Sequence, residues 1–237
     1  MTFVVRPALP RGAAEQFYLS AHDHRGIPQL TGRALEFGAA TALLGELVIQ
    51  EYLAFSDEQT LLRRRAAQVL RSPVAPNRPT VVYRLLQQIA GSPKHTPGDW
   101  ITHFAPKAPL WIARRMLAAN VVSAATPPWV KFWDTTTRYM PRDPNAPYKL
   151  GDHLVLALQN RSRLTLQDLF LAGLLRATAL HHTRIADLPH ADELIATKVR
   201  ALDRPAHLQN ARRDRSLRVL LSHTEHLINT AVLAQTL

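Results

Sequence analysis

The sequence predicts a mostly α-helical protein, a single globular domain around one buried central helix, with a small β-hairpin. Three observations predict it. Ala40, Leu43, Leu44, Leu47 and Val48 fall at i, i+3, i+4, i+7 and i+8, the spacing of an apolar stripe on a helix. The other positions nearby are Gly38, Ala39, Ala42, Gly45 and Ile49, so this helix is apolar nearly all round and its small residues admit close neighbours. Helical periodicity then recurs through the last third of the chain, at 150–159, 164–179, 190–202 and 208–236.

Taken in order, Pro7, Pro10 and Gly12 make residues 1–12 an extended arm ahead of a domain spanning 13–237. Residues 13–21 (AAEQFYLSA) read as a short helix, His22-Asp23-His24-Arg25-Gly26 as a turn, and 27–30 as a short strand. Thr31 is the expected N-cap of the central helix. Glu46 lies inside the apolar run, where an unpaired carboxylate is costly. It must reach solvent, pair, or accept hydrogen bonds, and with no second acid beside it the structural role is favoured over a catalytic one. Tyr52-Leu53-Ala54-Phe55 then reads as a short strand, with a turn at Ser56-Asp57-Glu58.

Within 61–70, Arg63-Arg64-Arg65 reads as a solvated face, and Pro73, Pro76 and Pro79 make 72–79 a loop. Thr80 caps a helix at 81–90 whose inner side is Val82, Leu85, Leu86 and Ile89. Thr96-Pro97-Gly98-Asp99 opens a short helix holding Trp100, Ile101 and Phe104, and a strong helix is expected over 110–124. Residues 125–151 interleave prolines with Trp129, Phe132, Trp133, Tyr139 and Tyr148, beside Lys131, Arg138 and Arg142. A strand over 130–136 fits there. Aromatics next to cations in a loop suit a membrane interface or a partner surface, and equally suit rings packed down on the domain. Thr165 caps the helix that buries Leu166, Leu169, Phe170, Gly173 and Leu174.

The 237 residues carry 29 basic against 18 acidic side chains, a formal net charge of +11. Such a surface attracts phosphates of nucleic acid or of anionic lipid. Only five of the basic residues are lysine, so a GC-rich coding bias toward arginine accounts for the same excess. There is no cysteine, which excludes disulfides and thiolate metal sites. The start is broken early by Pro7, unlike a signal peptide, and no run of apolar residues is long enough to span a bilayer. The expectation is a soluble, cytoplasmic protein.

Glycine-rich phosphate loops, dinucleotide fingerprints and nucleophile elbows are all missing, so no cofactor is expected. His223-x-x-His226 around Glu225 supplies two ligands, and His181, His182 and His190 offer a third, short of the pattern of a metal site. Arg212-Arg213-Asp214-Arg215 at the start of the last helix suits either phosphate or solvent, although cations there oppose the helix dipole.

One ordered set of residues resembles a known family. It runs Glu15-x-Phe17-x-Leu19-x-x-x-Asp23-x-x-Gly26, then Leu43-Leu44-x-Glu46-Leu47, then Pro97-x-x-Trp100-Ile101, then Arg114-x-x-Leu117-x-x-Asn120. Together these resemble the Golgi phosphoprotein 3 family, in its shorter actinobacterial form, from about Pro10 to the C-terminus. The resemblance implies a helical domain around a buried central helix with an exposed hairpin. It also implies a peripheral membrane protein that binds phosphatidylinositol 4-phosphate. The family's headgroup positions fall on Thr31, Ala40, Trp111 and Arg114, so Arg114 is retained, with Arg33 and Arg115 as neighbouring substitutes. Its membrane-contacting hairpin corresponds to about Ser123–Trp133, which keeps Trp129, Phe132 and Trp133.

The function expected is therefore non-enzymatic binding of an anionic phospholipid or phosphoinositide headgroup, peripheral on the inner face of the plasma membrane. Arg33, Trp111, Arg114 and Arg115 would form the headgroup site and the aromatic loop would touch the bilayer. The alternative is a basic helical nucleic-acid-binding or regulatory protein using Arg63–Arg65 or Arg212–Arg215, for which no base-reading helix is identifiable. Oligomers and a protein partner stay open.

Overall fold

Helix α2, Gly32–Ile49, is the element against which the others are placed, and every residue from 37 to 48 is buried. The computed structural model describes residues 12–56, 67–71, 80–125, 137–159, 164–200 and 208–234. In chain order these form α1 (Ala13–Ser20), α2, β1 (Leu53–Phe55), β2 (Ala67–Val69), α3 (Val81–Gly91), α4 (Pro97–Phe104) and α5 (Ala108–Ala118). There follow β3 (Val122–Ala125), β4 (Arg138–Pro141), α6 (Ala146–Gln159), α7 (Leu166–Ala177), α8 (His181–Arg184), α9 (Ala191–Val199) and α10 (Leu208–Leu233). The mostly helical class and the buried central helix are as the sequence predicts.

Five helices, α1, α4, α5, α7 and α10, pack on α2. Two glycines decide how closely. A Cβ on Gly38 would lie 2.3 Å from Phe17 Cζ of α1, and one on Gly45 would lie 2.1 Å from Phe170 Cζ of α7. Phe17 and Phe170 are fully buried, so each ring seats where a larger residue would stand. The long α10 is tied on by polar contacts. Thr224 and Thr41 share a hydroxyl hydrogen bond of 2.6 Å, and Ser216 Oγ accepts the Phe55 N–H at 2.9 Å.

Local capping follows the sequence closely. Thr80, Thr96 and Thr165 each accept an N–H from the third residue on, and Asp99 and Asp168 complete capping boxes at the latter two. Thr31 stands at the N-cap of α2, without a side-chain hydrogen bond.

Four expectations differ. Residues 27–30 are not a strand; a single bridge joins His22 and Pro28, and proline brings no N–H to extend it. The helix expected over 110–124 stops at Ala118. Asn120 takes the left-handed conformation (φ 61°), Val121 N–H closes on Met116 O at 2.9 Å, and 122–125 become β3. The apolar run continues through the break, but Val121-Val122 are β-branched and favour the strand. Among the described residues there are two antiparallel strand pairs where one hairpin was expected, β1 with β2 (Leu53 opposite Val69) and β3 with β4 (Val122 opposite Pro141). The short α8 was not anticipated. The arm at 1–11, Arg63-Arg64-Arg65, the proline loop 72–79, and the strand expected at 130–136 lie outside the described residues.

Two core substitutions test this packing in urea or thermal unfolding. Leu44→Ala should cost about 2–5 kcal/mol, the range of a buried leucine deletion. Gly45→Ala gains up to about 1 kcal/mol of helix propensity but collides with Phe170. The net expectation is a loss of about 1–2 kcal/mol once the overpacking penalty is included. A Gly45→Ala protein more stable than wild type would show that the ring has room to retreat.

Candidate functional site

Glu46 answers the question its burial raises by pairing and accepting at once. Its Oε1 takes Arg115 Nη1 at 2.7 Å and its Oε2 takes Nη2 at 3.0 Å, a bidentate pair between α2 and α5. Oε2 also accepts the Ala14 N–H at 3.2 Å, one of the unbonded donors at the start of α1. Arg115 Nε lies 3.1 Å from Glu15 Oε1 in that same first turn, where the helix dipole favours carboxylates. Burial works against the Arg115 charge, but the hydrogen bond and charge of Glu46, then Glu15, outweigh it and hold its pKa above the ordinary arginine value. Gly12 runs directly over the pair; a Cβ there would stand 2.6 Å from Glu46 Oε2.

The residues expected to hold a headgroup are thus placed differently from one another. Arg115 is committed to two carboxylates, leaving the cluster with one excess negative charge. Arg114, next along α5, is exposed. Trp111 is half-buried against the core with its ring 6.1 Å from that of Phe104. Arg33 is exposed, 3.7 Å from Glu36 and above the Phe37 ring. Arg33 sits in the first turn of α2 and Glu46 in the last, about 20 Å apart at 1.5 Å per residue. The structure brings Trp111 and Arg114 together on α5 and sets Arg33 at the far end of α2. Thr31 is exposed, while Ala40 is fully buried. Trp129, Phe132 and Trp133 lie outside the described residues.

What the sequence reading missed is the outer face of α5. Leu110 and Leu117 are 41% and 40% exposed. The buried stripe is Ala108, Ile112, Ala113 and Met116. Arg115 falls within it, and that register was the available signal. Turned the other way, Lys107, Leu110, Arg114 and Leu117 share one outward face at helical spacing. Among the described residues no helix is long and apolar enough to cross a membrane, and no group of three or more His, Asp or Glu is placed to hold a metal ion.

Two histidines next to these elements are tuned by burial. His22, after α1, has Nδ1 2.7 Å from Tyr18 O. Burial lowers its pKa more than the Tyr18 carbonyl and Asp23 raise it, and Arg184 lowers it further. Burial, then His182, push His181 down likewise.

Two expected outcomes follow from these contacts. Arg115→Ala strands two carboxylates and should cost about 2–4 kcal/mol in thermal unfolding, toward the lower end for buried pairs because the guanidinium is part-exposed. Arg114→Ala, one position away, should stay within about 0.5 kcal/mol of wild type. The histidines set a pH slope. Above their ordinary value of 6.5 neither folded nor unfolded chain is protonated at these rings. Below it the unfolded chain takes up protons first, so stability falls as pH falls. The urea midpoint should drop between about pH 7.5 and about pH 5.5, and drop less in His22→Gln; an unchanged slope would remove His22 as a cause.

The family model described as Golgi phosphoprotein 3 (GPP34) matches residues 13–233. No curated protein matches the chain. The family match starts at Ala13, the first residue of α1, and runs to Leu233, the last of α10. It takes in the central helix, the Glu46–Arg115 pair and both strand pairs, and over that length the chain belongs to the Golgi phosphoprotein 3 family.

Proposed function

We propose that this protein is a non-enzymatic peripheral membrane protein that binds anionic lipid, phosphatidylinositol 4-phosphate among other headgroups, at the cytoplasmic face of the plasma membrane. The observation that carries this reading is the outer face of α5, where Arg114 stands between exposed Leu110 and Leu117, with Lys107 one turn before Leu110. That combination matches a bilayer interface. The leucines enter the acyl boundary while the cations stay at phosphate level. Arginine suits phosphate because its planar fork pairs with two oxygens. Membership of the family and a net charge of +11 support the same reading.

In this reading Arg114 and Lys107 make the main contact, Trp111 backs it, and Arg33 adds a second contact from the first turn of α2. Arg115 orients α5 rather than meeting lipid. Trp129, Phe132 and Trp133, between β3 and β4 in the chain, are the proposed bilayer-contacting rings. Thr31, buried Ala40 and Trp111 stand at three of the four headgroup positions implied by the family resemblance. Binding should therefore follow surface charge with little preference for the monophosphorylated inositol lipid.

Vesicle sedimentation tests this. Wild type should bind anionic vesicles at low salt, ignore neutral ones, and release as salt shortens the Debye length. With each cation near the surface worth about 1 kcal/mol, Arg33→Ala combined with Arg114→Ala should weaken binding by roughly thirtyfold. Tryptophan emission should shift blue on binding. Indifference to anionic vesicles at low salt would sink the proposal, and strong selection of phosphatidylinositol 4-phosphate at equal charge would sink the claim of charge-led binding.

A further inference from the structure

The opposite side of α2 carries a second basic site that the membrane reading does not use. Helix α2 ends in a paired closure, Tyr52 N–H to Leu47 O at 2.9 Å and Glu51 N–H to Val48 O at 3.0 Å, with Glu51 left-handed at φ 61°. Beside this end lies a hollow of about 440 Å³. The exposed Leu70 and the buried Val48, Leu53 and Ala54 make its apolar lining, and Arg71, Arg212 and Arg213 stand around it with Glu51. Val48 is two residues from Glu46, about 200° around the helix. The hollow therefore faces away from the Arg115 cluster and from the outer face of α5.

We propose that this hollow binds a small organic phosphate ester, the phosphoryl group held by Arg71, Arg212 and Arg213 and the organic body resting on Val48, Leu53 and Ala54. Among the described lining residues three guanidinium groups face one carboxylate, so the site favours an anion of more than one charge. The arginines are held in place beforehand. Arg71 lies 4.8 Å above the Tyr52 ring and donates Nη2 to Gln50 O at 2.7 Å. Arg212 Nη2 donates to the Gln68 side chain, and Arg213 Nη1 pairs with Glu51 at 3.2 Å. A guanidinium has five donors, and the contacts named for Arg71 and Arg212 take one each. One turn beyond Arg212, Ser216 clamps α10 to β1 through the Phe55 N–H, so little ordering is left for a ligand to impose. The volume lies within the usual range of small-molecule sites. Glu51, the one carboxylate among the described lining residues, competes with the incoming phosphate for Arg213.

The test is calorimetric titration at low salt with ribose 5-phosphate, inorganic phosphate, and phosphatidylserine vesicles. Ribose 5-phosphate should bind, and more tightly than inorganic phosphate. Arg71→Gln combined with Arg212→Gln should weaken it by about tenfold or more, since each removes a charge-assisted hydrogen bond. Glu51→Gln should strengthen it by up to about fivefold, the scale of an exposed ion pair. Because that variant changes affinity in the opposite direction, a folding defect cannot imitate it. The same variants should leave vesicle binding near its wild-type level, which separates this proposal from the membrane reading and its Arg33 and Arg114. No binding of ribose 5-phosphate overturns it, as does binding unmoved by the paired arginine substitution. Equal affinity for inorganic phosphate overturns the role of the apolar floor. Vesicles that displace ribose 5-phosphate would reassign the site to lipid and overturn the free ester.

Discussion

Glu46 is the single ionisable residue in the stretch of α2 that is wholly buried, and its carboxylate is held there by groups from two other helices. The fold depends on that arrangement. Without Arg115 the carboxylate would be a poorly compensated charge in the interior, and without Glu46 and Glu15 the guanidinium would be one. The pair joins α1, α2 and α5 at one point, and the Ala14 amide adds the start of α1 to the same oxygen. Hydrophobic burial is non-directional and brings these helices together. The bidentate geometry is directional and fixes their rotation.

That rotation has a consequence at the surface. Neighbouring residues on a helix point about 100° apart. With Arg115 turned inward to Glu46, Arg114 is turned out, and Leu110 and Leu117 are carried out with it. A buried ion pair thereby selects which side of α5 meets solvent. The apolar stripe alone does not make this choice, because Leu110, Leu117 and Val121 have as regular a spacing as Ala108, Ile112 and Met116. The small residues of α2 act on a different coordinate. Gly38 and Gly45 set how near α1 and α7 approach, through Phe17 and Phe170, and leave their rotation to other contacts.

These two kinds of contact explain how far the sequence was legible. The central helix, the caps at Thr80, Thr96 and Thr165, and the class of fold rest on residues a few positions apart, and local spacing exposes them. The break at Asn120 was missed because apolar side chains continue on both sides of it and the left-handed turn costs asparagine little. The partner of Arg115 was not legible, since Glu46 is 69 residues away and nothing local marks the two as a pair. The hollow beside Glu51 joins Arg71 to Arg212 across a still longer separation, although Arg212-Arg213 had stood out as a phosphate candidate by charge alone.

Net charge is accordingly a poor count of cations available to a partner. Of two adjacent arginines on α5, one pairs with the carboxylates of Glu46 and Glu15 and one faces out. Arg176 is likewise engaged with Asp192 at 2.9 Å, and Arg184 donates to the carbonyls of Ser20 and His22 at the end of α1. The excess of basic residues still raises the potential over the whole surface and favours approach to anything anionic. Where an anion comes to rest depends on the arginines that are exposed. Arg114 is such a residue on one side of α2, beside leucines that suit a lipid surface. Arg71 and Arg212 are such residues on the other side, around a concave apolar floor that suits a smaller body. In the two roles proposed above the same excess charge would serve two different geometries, and the shape beneath the guanidinium groups would distinguish them where charge does not.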